Sequence, residues 1–443
     1  MSAAVPVAPI AAHDVMTLLL QLGLLLLGAL LLGRLAMRYG MPAIVGELLV
    51  GITLGPSILG HIAPDFADWL LPKNPAQFHL LDSVAQVGLL LLVGLTGIHM
   101  DLGLVRKRAK AATRISITGL VIPLGLGVGA GFLLPGDLLP STTERGVFAL
   151  FIGVAMCVSA LPVIAKTLMD LKLVHRNIGQ LILTVGMADD AIGWLLLAVV
   201  SAMATSGAHG GDLTLAVGGL VGVLVVAALI GRRVTGLILR PASRIEDPGP
   251  MTAICVVLIL LASAGTQSMG LEAAFGAFVA GILISSTGLA RPARISGLQT
   301  LVMSVFAPIF IASVGLRMDL GALGKPVVLF TAVVLLSVAI IGKFTGAYLG
   351  ALMNGMSRWE ATALGAGMNA RGGVEVIVAM VGLRLGVLDT DLFTIIVLIA
   401  AVTSLMAPPI LRLAMARVEF TAEEGLRGRT YGVPADKGQE MAA

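Results

Sequence analysis

Residues Leu183–Val200 read LTVGMADDAIGWLLLAVV, an apolar stretch with two adjacent carboxylates, Asp189 and Asp190, near its centre. They are the only charged residues between Ile178 and Met203. An apolar stretch of this length crosses a bilayer as a helix, where an aspartate at the midplane costs about 2.5 to 3.5 kcal/mol on insertion scales. Because carboxylates at that depth mark ion or proton pathways, we predict that this pair is functional rather than kept for packing.

The composition extends this prediction to the whole chain. Of its 443 residues, 57% are hydrophobic and 12% are charged, and the mean hydropathy is +1.00. These values lie outside the range of soluble domains, so we predict an all-α polytopic membrane protein. The net charge of +4 comes from basic residues in short loops, which excludes a nucleic-acid partner. No phosphate-binding, zinc-binding or nucleophile motif is present, so we expect neither a cofactor nor an enzyme activity.

Thirteen apolar stretches are long enough to span a bilayer. They lie at residues 15–37, 42–60, 82–99, 111–134, 146–168, 178–203, 213–239, 250–268, 271–287, 301–316, 326–353, 359–385 and 391–416. We number these predicted spans one to thirteen. The tail that follows, residues 418–443, is predicted to be cytoplasmic.

The basic residues test this count. When basic residues toward a span end are counted with the nearer loop, 22 of the 29 Lys and Arg residues fall on one side of the membrane and five on the other, and two (Lys343 and Arg371) lie near the middle of spans. The five are Lys73, Arg145, Arg317, Lys325 and Arg384. The positive-inside rule then predicts an external N-terminus and a cytoplasmic C-terminus, and an error in the count would have mixed the two groups.

A short repeat indicates internal symmetry. Gly97–Gly103 reads GIHMDLG and Gly315–Gly321 reads GLRMDLG, at the ends of spans three and ten. Seven spans separate the copies, so they cross the membrane in opposite directions. Inverted repeats are typical of secondary transporters, whose substrate site lies near the midplane between the repeats.

The two carboxylates of span six are predicted to have separate roles, because adjacent residues of a helix point about 100° apart. Lys343, in IIGKFTGAYLGA, is the one charge in span eleven and lies more than one turn from either end. A buried ammonium group needs a partner, so we predict an ion pair with Asp189 or Asp190. Snorkelling of the lysine to the interface is the alternative.

A second pair of opposite charges lies in GMNARGGVEVIVAMVGL, in span twelve. Arg371 and Glu375 flank Gly372 and Gly373, and each glycine weakens a helix by about 1 kcal/mol relative to alanine. We predict a break that leaves Arg371 at the partially negative C-terminus of one half-helix and Glu375 at the positive N-terminus of the next. An unbroken helix with an i, i+4 ion pair is the alternative.

Another interruption is predicted in MCVSALPVIAKTL, in span five. Pro162 removes a helix hydrogen bond and clashes with the preceding turn, which frees carbonyls near Ser159. We expect these carbonyls and the Ser159 hydroxyl to complete the oxygen shell of a bound ion, because irregular backbone at membrane depth is tolerated where it lines a cavity. A simple proline kink is the alternative. Two interrupted helices in the two halves of a chain indicate a transporter site.

Four of these features together resemble the monovalent cation:proton antiporters, in particular the second cation:proton antiporter family of bacterial sodium or potassium exchangers and plant relatives. They are VSALPV at Val158–Val163, ADDAIGW at Ala188–Trp194, the intramembrane Lys343, and NARGGVEV at Asn369–Val376. The similarity covers nearly the whole chain, from GELLVGITLGPSILG at Gly46 to LIAAVTSLMAPPIL at Leu398.

The resemblance implies a sodium/proton antiporter fold with two crossed discontinuous helices, in a homodimer in the plasma or inner membrane. It also implies that the transmembrane domain, residues 1–417, contains a mobile core, a dimerisation part and a linker helix. The core comprises approximately residues 111–203 and 326–416, the dimerisation part 15–99 and 250–316, and the linker helix 213–239.

The resemblance further implies roles for single residues. The position of Asp190 binds cation and proton alternately, and that of Asp189 pairs with the lysine in members that move net charge. The chain is therefore expected to exchange protons for Na⁺ or K⁺ electrogenically by alternating access. Asp190, Asp189 and Ser159 are the expected cation ligands, with Pro162, Asn369, Arg371 and Glu375 in supporting positions. A carrier of an organic ion on a related fold and a cation channel are the alternatives.

Overall fold

A computed structural model describes residues 10–39, 41–71, 75–99, 109–141, 143–206, 218, 221–269, 271–290, 292–422 and 424. Every regular element within these ranges is a helix. The first half of the chain contains α1 (Ala12–Arg38), α2 (Ala43–Leu54), α3 (Leu59–Ile62), α4 (Pro64–Leu70), α5 (Pro75–Ile98), α6 (Ala109–Leu133), α7 (Arg145–Cys157), α8 (Leu161–Asp170) and α9 (Asn177–Ser206). The second half contains α10 (Val221–Ser243), α11 (Gly249–Ser268), α12 (Ala273–Thr287), α13 (Pro292–Leu301), α14 (Ala307–Gly315), α15 (Pro326–Leu352), α16 (Arg358–Met368), α17 (Gly373–Arg384) and α18 (Thr390–Met415).

These helices account for the predicted spans. Within the described ranges, ten helical segments are long and apolar enough to cross a membrane, and they coincide with ten of the thirteen predicted spans. The other three correspond to the 15-residue apolar helix α12 and to two interrupted pairs, α7 with α8 and α16 with α17. Span seven is described mainly from residue 221 onward. The all-α polytopic prediction is therefore confirmed.

The interruption predicted in span five is a complete break. α7 ends at Cys157, and the backbone is extended at Val158 and Ala160 before α8 begins. Pro162 stands in the first turn of α8, where its missing N–H removes no helix hydrogen bond. The proline therefore starts a second half-helix instead of kinking one continuous helix.

The interruption predicted in span twelve also occurs. α16 ends at Met368, and α17 begins at Gly373. Gly372, the residue before α17, has φ of 159° and ψ of −119°, a conformation that glycine adopts more readily than any residue with a Cβ. The first of the two glycines is thus the one that the break requires.

The repeated motifs are matched by repeated helix crossings. α5 ends in the first copy and crosses α12 at Gly97 and Gly281, whereas α14 ends in the second copy and crosses α2 at Gly315 and Gly51. At each crossing, a Cβ on either glycine would overlap the backbone of the other helix. Span three therefore packs on span nine, and span ten packs on span two. The third span of each repeat thus lies against the second span of the other repeat, as expected of an inverted repeat. Residues 100–103 of the first copy lie outside the described residues.

Alanine at Gly281 is expected to destabilise the protein. The added Cβ would overlap the carbonyl oxygen of Gly94 and lie 2.9 Å from the Cα of Gly97, so we expect a loss of about 1 to 3 kcal/mol from overpacking. Gly265 on α11 is the matched control, because no atom lies within 4 Å of a Cβ there. Thermal unfolding in detergent should give a lower Tm for Gly281→Ala and an equal or higher Tm for Gly265→Ala. Equal Tm values for the two variants would contradict the close crossing.

The chain packs as two compact units. One comprises Met1–Leu89 with Thr300–Asp319, and the other comprises Leu90–Gln299 with Leu320–Ala443. The first contains an apolar cluster of buried residues: Leu25, Val50, Leu81, Ala312 and Leu316. The second contains α9 and both interrupted helices. The division into core, dimerisation part and linker helix concerns a dimer and its motion, and it stays a prediction.

The predicted tail is described for residues 418–422 and Glu424. Glu424 is buried against the start of α9, where one carboxylate oxygen lies 3.2 Å from Nε of Arg176 and the other accepts the N–H of Asn177. Burial by itself raises the pKa of Glu424, but two backbone N–H donors and the charge of Arg176 hold that pKa below its ordinary value. The contact is therefore an ion pair at neutral pH and anchors the beginning of the tail.

Candidate functional site

The two interrupted helices cross at their breaks. The N–H of Ala160, between α7 and α8, donates to the carbonyl of Ala370, between α16 and α17, with an N···O distance of 3.3 Å. The hydroxyl of Ser159 donates to the carbonyl of Met368, the last residue of α16, at 3.2 Å. All four residues are buried. The predicted crossing of two discontinuous helices is confirmed.

Asp189 and Asp190 lie on α9 and are fully buried, so neither carboxylate is open to solvent in this conformation. The ammonium group of Lys343 on α15 donates to Asp189 at 2.7 Å and to the carbonyl of Cys157 at 2.8 Å. Ser116 of α6 lies beside the same carboxylate. The ion pair predicted for Lys343 is therefore made with Asp189, the carboxylate that faces a neighbouring helix.

Asp190 has a different environment. Within the part of the chain that the structure describes, neither of its carboxylate oxygens has a hydrogen-bond partner. The backbone N–H of Leu161, at the N-terminus of α8, lies near this carboxylate but outside hydrogen-bond geometry. A buried carboxylate without a partner is costly, and binding of a proton or a cation relieves that cost. Asp190 is thus the acidic group at the crossing that is able to accept an exchangeable positive charge.

Arg371 neutralises the end of α7. Its guanidinium group donates to the carbonyls of Ala155 at 3.0 Å and of Met156, both in the last turn of α7, and to Ala339 on α15 at 3.1 Å. Last-turn carbonyls lack intrahelical partners and carry partial negative charge, so a cation is favourable there. We predicted this charge at the C-terminus of α16. That prediction is wrong, because the crossing brings the guanidinium to the C-terminus of the other interrupted helix.

Glu375 completes the coordination of Arg371. Its carboxylate lies in the first turn of α17, as predicted, and accepts a hydrogen bond from Arg371 at 3.1 Å. Both side chains are fully buried. The break and the i, i+4 ion pair, which the sequence presented as alternatives, therefore occur together.

Three carbonyls at the end of α7 bind the protein's own cations. Lys343 donates to the carbonyl of Cys157, and Arg371 donates to the carbonyls of the two residues that precede Cys157. The oxygen shell expected from Ser159 and the freed carbonyls stays a prediction. The described oxygens at the crossing that have no hydrogen bond include both of Asp190 and Oδ1 of Asn369, the residue after α16. The Ser159 oxygen is a donor here and keeps its lone pairs.

Several contributors were missed by sequence reasoning. They include the hydroxyl of Ser404 on α18, which donates to the carbonyl of Arg371, and Ser116 beside Asp189. Each serine is a hydroxyl inside an apolar span, a weak signal that the sequence does contain. The carbonyls at the end of α7 have no such signal, because every residue carries one.

Comparison with known proteins places this site in context. Residues 23–417 match the family model described as sodium/hydrogen exchanger, transmembrane. The chain is 33% identical over 377 residues to the Na⁺/H⁺ antiporter NhaS4 of Synechocystis sp., which covers 84% of this chain and 91% of that protein. It is 27% identical over 392 residues to the Na⁺/H⁺-K⁺ antiporter GerN of Bacillus cereus, covering 88% and 95%.

Two further likenesses agree with these matches. The chain is 32% identical over 375 residues to cation/H⁺ antiporter 15 of Arabidopsis thaliana, covering 84% of this chain but 45% of that longer protein. Among solved structures, the sodium proton antiporter MjNhaP1 from Methanocaldococcus jannaschii aligns with a TM-score of 0.67 at 16% identity, over 91% of this chain and 99% of that one. The two proteins therefore share a fold.

Proposed function

The chain belongs to the sodium/hydrogen exchanger family of monovalent cation:proton antiporters, and from this premise we propose that Asp190 is the site at which a proton and Na⁺ or K⁺ compete. Exchange of protons for a monovalent cation across the membrane follows from family membership. The family match favours antiport over the organic-ion carrier and the channel considered above. The choice of residues, the coupling and the cation are our proposal.

The charge balance at the crossing is the observation that carries this proposal. Among the residues that the structure describes at the crossing, three buried acids (Asp189, Asp190 and Glu375) accompany two buried bases (Lys343 and Arg371). Each base has an acid partner, which leaves the carboxylate of Asp190 and a formal charge of −1. One proton or one monovalent cation neutralises that charge, whereas both together would leave an excess positive charge in a buried site. Binding of one therefore displaces the other.

Alternating access then couples the two fluxes. A bare carboxylate is costly to carry through the low-dielectric part of the membrane, whereas a protonated or cation-bound one is cheaper. The full burial of Asp190 supports an occluded state, from which the site opens to one side at a time. We propose that the core predicted from the resemblance moves in a homodimer held by the dimerisation part, with the N-terminus outside.

The ion pair of Lys343 supports electrogenic exchange. Asp189 and Lys343 are both fully buried, and their charges compensate each other only while the pair is closed. We propose that opening and closing of this pair is coupled to binding and release of a second proton. Exchange would then move net charge in each cycle.

Everted membrane vesicles that contain the protein test the proposed function. After a proton gradient is formed, addition of Na⁺ or K⁺ should dequench a fluorescent pH-gradient probe in a saturable manner, because cation entry drives proton exit. The measurement is scanned over Na⁺, K⁺, Li⁺ and pH, with and without an imposed potential. Vesicles without the protein, and addition of choline, are the controls. Dequenching that equals these controls for every cation would overturn the proposal.

A further inference from the structure

Trp194 lies one helical turn beyond Asp190 on α9. It follows Asp190 by four residues on α9, so both side chains project from the same face, with Trp194 about 6 Å further along the helix. Trp194 is 2% exposed, and the centroid of its ring lies 5.8 Å from that of Phe278 on α12. This ring contact therefore joins the helix that carries the aspartates to α12.

An ion pair makes a second contact on the same side. Glu272 immediately precedes α12 and forms an ion pair with Arg384, the last residue of α17. Phe278 follows Glu272 by six residues, which is about 9 Å along the helix axis. The Glu272 side chain is 4% exposed and that of Arg384 is 41% exposed. The carboxylate makes no capping hydrogen bond to α12, so it is not required to start that helix.

We propose that these two contacts are a gate between Asp190 and the side of the membrane at which α12 begins. The distribution of Lys and Arg predicts that this side is external. Each contact joins α12 to a helix of the crossing, α9 or α17. All three helices lie in the same compact unit in this conformation, whereas the division implied by the resemblance puts α12 in the dimerisation part and the other two in the moving core. The gate opens when Trp194 separates from Phe278 and Arg384 separates from Glu272. This inference rests on the proposed function, because a gate has a role only in a transporter.

The exposure of the ion pair suits a contact that must break in every cycle. Arg384 is half-exposed and stays solvated when the pair opens, whereas Glu272 moves from a buried to a solvated position. Loss of such a pair shifts a two-state equilibrium by about fivefold toward the open form. Glu272→Gln is the informative variant, because it removes the buried charge and leaves no buried ion without a partner.

Fluorescence of Trp194 tests the gate without any transport measurement. Substitution of the two exposed tryptophans, Trp69→Phe and Trp359→Phe, leaves Trp194 as the one reporter. In detergent, acrylamide should quench Trp194 weakly in the Trp69→Phe, Trp359→Phe protein. Addition of Glu272→Gln should make the fraction of Trp194 that acrylamide reaches about fivefold larger. Arg384→Lys keeps the positive charge at this position and should leave quenching of Trp194 weak. Arg384→Gln removes that charge and should raise the quenching.

Asp391→Asn is the matched control. It breaks the ion pair of Lys325 with Asp391, at 2.9 Å, which joins the residue before α15 to the first turn of α18. It should leave quenching of Trp194 unchanged. Unchanged quenching in Glu272→Gln, or an equal rise in Asp391→Asn, would overturn the gate.

Transport separates this proposal from the function on which it rests. In oriented proteoliposomes, Glu272→Gln should lower the KM for the cation on the external side and raise it on the cytoplasmic side, because the outward-open form becomes more populated. A loss of general integrity would instead affect both sides alike. Normal exchange with unchanged quenching would refute the gate alone, whereas absence of exchange in the unaltered protein would refute the proposed function.

Discussion

Asp190→Asn is expected to abolish cation-driven proton flux in proteoliposomes. Asparagine has nearly the same shape, but it carries no charge and does not exchange a proton in the physiological range. Among the described residues of the crossing, the one acid without a hydrogen-bond partner would then be a neutral amide, and the formal charge of −1 that a proton or cation compensates would be absent. We expect flux indistinguishable from that of empty liposomes, at every cation concentration and pH.

Folding of this variant is expected to be preserved. Removal of an unpaired buried charge takes away a destabilising group, so the Tm should equal or exceed that of the unaltered protein. Asp391→Asn, the same chemical change in the first turn of α18, should keep normal flux. Undiminished exchange by a well-folded Asp190→Asn protein would remove Asp190 from the proposed role.

Lys343→Gln is expected to have the largest effect on stability. It leaves Asp189 as a buried charge without its cation and the Cys157 carbonyl without its donor, which together cost about 3 to 5 kcal/mol. The double variant Lys343→Gln with Asp189→Asn removes both charges and should recover most of that loss. Thermal unfolding of the two single variants and the double variant gives the coupling energy directly.

The same variants test the movement of charge. If the pair contributes a second proton per cation, flux in the double variant should lose its dependence on an imposed potential while some exchange remains. Additive Tm changes would show that the two side chains are not coupled. Unchanged voltage dependence in Lys343→Gln and in the double variant would refute the electrogenic role.

Features that depend on spacing along one helix were predictable from the sequence. The adjacent carboxylates of α9, the double glycine at Gly372 and the proline at the start of α8 each act on neighbouring backbone, so their consequences lie within a turn. The pairing of Lys343 was predictable for another reason. A buried ammonium group needs a carboxylate, and span six offered two.

Contacts between distant segments that carry no distinguishing sequence signal were not predictable. Arg371 binds carbonyls that precede it by 215 and 216 residues, and carbonyls are the same in every residue. The partner of Glu272, 112 residues away at Arg384, depends on how α17 lies against the start of α12, which no local pattern encodes. The close crossings at Gly51 and Gly281 are likewise evident only when the facing glycine is known.

The use of main-chain oxygens around Arg371 has an evolutionary consequence. Its partners at Ala155, Met156 and Ala339 are carbonyls, which survive any substitution at those three positions. The side chains at these three positions can therefore change during evolution while the hydrogen bonds to the guanidinium group are kept. No second mutation among those three positions can compensate for loss of the arginine, so across descendants it should stay fixed while its contact positions diverge.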